Sequence, residues 1–96
     1  MILKYSPQRR DDTLILKKQG DILTINGTDY DFTDLLEGET LPKEAINNSF
    51  INGDVERTDG ELVIPILLPI KREASQSAKF PEPATINTDG TVVLPE

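Results

Sequence analysis

Cysteine, histidine and tryptophan are all missing from these 96 residues. Without cysteine there can be no disulfide and no thiolate metal site. Without histidine there is no Ser-His or Cys-His catalytic pair and no imidazole zinc site. The six glycines are scattered, so no Gly-rich phosphate loop exists. Aromatics are few, three Phe and two Tyr, and the core has to be built from Leu, Ile and Val. Those residues suit a pleated, half-buried surface. Long apolar runs are absent as well. The longest, Leu62 to Ile70, is broken by Pro65 and Pro69. It falls far short of the ~20 residues of a membrane-spanning helix. Met1 to Ser6 carries no signal-peptide apolar region, so residence in the cytosol and no membrane partner are expected.

Positive charge is scarce, with 10 basic residues against 17 acidic ones and a net charge of −7. Arg9-Arg10, Lys17-Lys18 and Lys71-Arg72 are isolated pairs with acids nearby. Affinity for a phosphate backbone grows with the number of phosphates neutralised, so no nucleic-acid partner is expected. Net charge here serves solubility. A single domain of this length has a radius of gyration of roughly 12–13 Å. So small a core, with no covalent staple, points towards support from a partner chain, a homo-oligomer included.

What the chain does have is turns. Every glycine follows a turn-favouring polar residue, and four of these pairs are Asn-Gly or Asp-Gly: Asn26-Gly27, Asn52-Gly53, Asp59-Gly60 and Asp89-Gly90. Both residues of such a pair tolerate the positive φ that a type I′ hairpin turn needs. Strands are predicted over residues 2–5, ending at Ser6-Pro7, then over 13–18 and 21–26 around Gln19-Gly20. A two-residue turn there sets Leu16 opposite Leu23 and Leu14 opposite Ile25. A second such turn at Asn26-Gly27 sets Tyr30 opposite Leu23, with Phe32 on the same face and Asp29 and Asp31 on the other. Both turns therefore gather Leu14, Leu16, Leu23, Ile25, Tyr30 and Phe32 onto one side of a three-stranded meander.

Pro42 to Ile46 reads as one short helical turn, with Pro42 at its first position and Thr40 or Leu41 as its entry. Residues 50–58 and 61–68 form a second hairpin across Asp59-Gly60, pairing Arg57 with Leu62 and Val55 with Ile64. Pro65 cannot donate to a ladder, so this last strand lies at an edge or carries a bulge. As an edge it would invite strand addition by a partner, and as a central strand it would be core. Residues 71–83 read as a mobile loop. Residues 84–96 read as a C-terminal hairpin across Asp89-Gly90, with Ile86 opposite Val93. The expected fold is all-β, a single domain over 1–96 forming a small sandwich or open barrel.

The densest polar cluster is Asp29, Asp31, Asp34, Glu37 and Glu39. Its spacing does not match the twelve-residue calcium loop. A solvated strand face and loop is the plain reading. A metal- or ligand-binding accessory module on Asp29, Asp31 and Asp34 is an alternative, and an acidic inhibitor of a host protein is another. No catalytic, cofactor-binding or metal-ligating residue is assigned, and an enzyme is not expected.

Several stretches carry a family likeness: Leu23-Thr24-Ile25-Asn26-Gly27, Tyr30-Asp31-Phe32, and Leu36-Glu37-Gly38-Glu39-Thr40-Leu41-Pro42. Ala45-Ile46, Val55-Glu56-Arg57-Thr58-Asp59-Gly60-Glu61-Leu62, Leu68-Pro69 and Phe80-Pro81-Glu82-Pro83 continue it. In these the chain resembles small proteins encoded in the tail-gene regions of bacteriophages and prophages. The resemblance spans most of the chain. It implies a non-enzymatic interaction protein of tail structure or assembly, with other phage proteins as partners. Its place would be the host bacterial cytoplasm and the virion. No catalytic residue carries over.

Overall fold

The first strand, β1 (Ile2–Arg9), runs straight through Pro7, past the stop predicted at Ser6-Pro7. The computed structural model describes residues 1–95. After β1 come β2 (Leu16–Gln19), β3 (Ile22–Ile25), β4 (Thr28–Asp31) and β5 (Thr40–Leu41). Next are β6 (Val55–Thr58), β7 (Glu61–Ile70), β8 (Ala84–Thr85) and β9 (Gly90–Thr91). The predicted helical turn is a 3-10 turn at Lys43–Ala45 entered through Pro42. A four-residue helix, α1 (Gln76–Lys79), lies within the stretch read as a mobile loop. Ser75 caps it by accepting from the Ala78 N–H, and Ala78 is buried. That corrects the loop reading over those residues.

The strands form a five-stranded sheet, β5-β6-β7-β1-β8, and a four-stranded sheet, β4-β3-β2-β9. The fold is all-β as expected. One continuous core joins the sheets, with Leu3 and Tyr5 of β1 and Ile64 and Ile66 of β7 meeting Leu16, Leu23 and Ile25 of the other sheet. The radius of gyration is 12.9 Å.

The meander forms with its predicted buried face. Asn26 and Gly27 take φ of 48° and 87°, and Leu23 lies opposite Tyr30. Leu14, Leu16, Leu23, Ile25 and Phe32 are all buried, and Tyr30 is half-buried. The first turn is corrected by one residue. Its loop is Gly20-Asp21, so Leu16 faces Ile25 and not Leu23. Gly20, at φ 58°, takes the left-handed position at the start of that loop. The register moves by two, an even number, which is why every side chain keeps its face.

The largest departure is the pairing of β1 with β7. It is parallel, runs from Ile2↔Val63 to Arg9↔Ile70, and puts β7 in the middle of its sheet. The edge-strand alternative for Leu62–Ile70 is thereby corrected. In a strand, successive residues point their backbone groups to opposite sides. Met1 C=O accepts from Ile86 N–H at 2.7 Å, and Arg10 N–H donates to Ile70 C=O at 3.2 Å. Odd residues of β1 therefore face away from β7. On β7, Pro65 C=O accepts from Asn52 N–H at 3.3 Å and Leu67 N–H donates to Phe50 C=O at 2.7 Å, so its odd residues face away from β1. Pro7, Pro65 and Pro69 are all odd. Pro7 and Pro69 lack an N–H on the side where the neighbouring segment has stopped, Pro65 lacks one on the side of the irregular pairing with residues 50–52, and the parallel ladder loses no bond to them.

The β6–β7 hairpin keeps its predicted register, with Arg57 opposite Leu62. Its ladder closes at Glu56↔Val63, one pair short of Val55–Ile64. Beyond it, Ile51 bridges Ile66, so residues 52–55 face only 64–65. Of the two alternatives that Pro65 left, edge or bulge, this is the bulge. The C-terminal hairpin does not form. β8 pairs with β1 and β9 pairs with β2, so the segment crosses from one sheet to the other. Asp89 decides this. Its Oδ1 accepts from Gly20 N–H at 3.0 Å and from Lys18 Nζ at 3.2 Å, which fixes its turn to the β2–β3 hairpin.

Candidate functional site

The acidic cluster is distributed over separate tasks. Asp29 Oδ1 accepts from the Thr24 hydroxyl at 2.6 Å across β3–β4. Asp31 accepts from the Thr33 hydroxyl and from its N–H, and those two bonds hold its carboxyl below the usual range. Asp34 lines a shallow cleft beside Phe32 and Leu41. Glu37 receives the Asp59 and Gly60 N–H groups on its two oxygens, at 2.8 and 2.7 Å. Glu39 Oε1 accepts from Leu36 N–H at 2.7 Å. Among the described residues no three acidic side chains gather where a metal ion could be held. The geometry gives the metal-binding alternative no support.

A different place combines apolar surface with charge. At the far end of the β1–β7 ladder a groove of about 820 Å³ opens, lined by Pro69, Ile70, Ala78 and Pro95 and by the charged Lys71, Arg72 and Glu73. The register sets Arg9 beside Ile70. Arg10 follows, its guanidinium 5.0 Å above the Phe50 ring and paired with Asp12. The pairs Arg9-Arg10 and Lys71-Arg72, isolated in the sequence, thus become neighbours. Segments 9–12 and 71–79 hold five of the chain's 10 basic residues and three of its 17 acidic ones. The groove is the basic end of an acidic protein. Ser75, at its rim, is engaged as the cap of α1. The lining offers apolar area and fixed charge, which suits holding a ligand.

Compared with family models, with curated proteins and with solved structures, the chain finds no match. The site therefore rests on its own geometry. Phe80 and Val93 add apolar surface in the C-terminal part of the chain, 71% and 88% exposed. Sequence reasoning missed the groove because nothing local pairs β1 with β7. One signal was available: Lys71-Arg72 directly follows the longest apolar run.

A second residue overlooked in the sequence is Arg57. Its Nε donates to Leu35 C=O at 2.5 Å, and one terminal nitrogen reaches Phe32 C=O and Asp21, each at 3.1 Å. It reaches from β6 in one sheet to the ends of β3 and β4 in the other. Arg57 N–H also donates to Glu39 C=O, and Gly38 N–H donates to Arg57 C=O. The loop over residues 35–39 is thus anchored on both its backbone and its side chains.

Proposed function

We propose that the protein is a non-enzymatic phage or prophage protein that works by binding other proteins, in tail structure or tail assembly. It acts in the host bacterial cytoplasm and enters the virion where its partner is a structural component. The observation that carries this reading is the groove lined by Pro69, Ile70 and Ala78, with two bases and one acid, Lys71, Arg72 and Glu73, in a chain of net charge −7. Such a combination favours a protein surface of opposite charge, with electrostatics steering the encounter and apolar burial holding it. The exposed Phe80, which lines a neighbouring cleft together with Pro95, extends the apolar area available to a partner. The test is co-purification of the tagged chain with the tail-gene products encoded beside it. The expected result is specific retention of at least one, weakened by Arg72→Glu. Retention of none by wild-type protein would remove the reading.

A further inference from the structure

The two ends of β7 carry complementary surfaces. At its start, the loop over residues 35–39 is locked to the β6–β7 turn through Glu37, Glu39, Gly38 and the Arg57 guanidinium. On this firmly held loop Leu36 is 64% exposed. Residues 29–39 contain five acids and no base, so Leu36 stands among carboxylates. At the other end of β7 lies the groove whose charged lining is Lys71, Arg72 and Glu73, with Arg9 next to Ile70 in the ladder. A strand of β7's length separates the two by roughly 30 Å, at ~3.3 Å per residue, along a molecule whose longest extent is 39 Å. No single chain can bring its own loop to its own groove.

We propose that the acidic loop bearing Leu36 on one copy docks into the groove of a second copy, so that the chains associate head to tail. This rests on the reading that protein binding is what the chain does. Leu36 is the apolar anchor, and the groove at Ile70 and Ala78 receives it. Asp34 meets Lys71 and Arg72 at the groove. The loop is already rigid, so little conformational freedom is lost on docking. The contact joins two different surfaces. It therefore closes into rings, or leaves one free loop and one free groove at the ends of an open chain. Rim charge pairs are screened by salt, so association weakens as ionic strength rises.

Sedimentation velocity on the purified chain tests this. The expected result is a sedimentation coefficient that grows with concentration at low salt and falls back at high salt. Leu36→Lys spoils the loop and Arg72→Glu spoils the groove. Both sites are exposed, and circular dichroism checks that each variant folds. Each alone is expected to lose self-association by on the order of tenfold or more, the cost of removing a central anchor or reversing its charge partner. Mixed together, the two variants retain one good loop and one good groove between them. They are expected to form a complex that stops at two chains. A wild-type chain that is monomeric at every concentration overturns the proposal, as does a mixture that stays monomeric or association that neither variant alters. A monomeric chain that still retains a tail protein would overturn this inference and leave the wider reading intact. A chain that associates with itself and retains nothing else would do the reverse.

Discussion

Tyr5 is buried on β1 with its hydroxyl unpartnered among the described residues. An unmet buried donor costs free energy, and removing it leaves the ring packing in place. Tyr5→Phe is expected to be neutral or stabilising by about 1 kcal/mol, read from the urea midpoint. Burial also pushes the Tyr5 phenol above its ordinary value. The unfolded chain ionises first, so stability is whole below the ordinary tyrosine range and declines as pH climbs through the folded value. Tyr5→Phe is expected to flatten that alkaline decline in a melting-temperature series. Asp89 runs the other way. Bonds from Gly20 N–H and then from Lys18 hold its carboxyl low. Its contribution is present above the ordinary aspartate range and disappears as pH falls through the folded value. Asp89→Asn is expected to make the acid side of the melting curve shallower. An unchanged acid slope would mean that this carboxylate does not help hold the C-terminal segment.

Among the elements, the turns were the most legible. Asn26-Gly27 announces its own geometry, because few other pairs enter the left-handed region at two successive positions without strain. Asn26 also donates to Thr13 C=O and accepts from Ile15 N–H, contacts no turn rule foretells. Gln19-Gly20 was read one residue early, since Gln-Gly does not say which of its residues opens the loop. The bulge opposite Pro65 is one of the two outcomes that the proline's missing N–H allowed. Its partner is Gly53, where an added Cβ would stand 2.9 Å from Pro65 Cγ. A ring carbon cannot swing aside as a long side chain can. Gly53→Ala is therefore expected to destabilise by about 1–3 kcal/mol, the usual cost of overpacking. Adding Pro65→Ala is expected to recover part of that loss in a denaturation cycle. Independent, additive effects would show that the two sites are not in contact.

At the scale of the whole molecule, Arg57 ties one sheet to the other through two carbonyls and Asp21. Its side chain is only 15% exposed. Arg57→Ala is expected to cost about 2–3 kcal/mol, because it strands acceptors that the fold has already desolvated. Arg57→Lys is expected to restore little, since an ammonium cannot reproduce the guanidinium fork. Stability of Arg57→Lys close to wild type would show that the charge alone suffices. The sequence by itself determined the all-β class, the buried face of the meander, an edge or a bulge at Pro65, and the acidic balance. Those depend on period-2 alternation, on residues that tolerate positive φ, and on a proline's missing donor, all of which are local. Only the tertiary structure decided that β1 lies parallel to β7, that residues 84–95 divide between two sheets, and that Arg9-Arg10 and Lys71-Arg72 meet at one end of the β1–β7 ladder. Those arrangements join residues far apart in the chain. Their selection lies in the burial of one common core, which no short window of sequence contains.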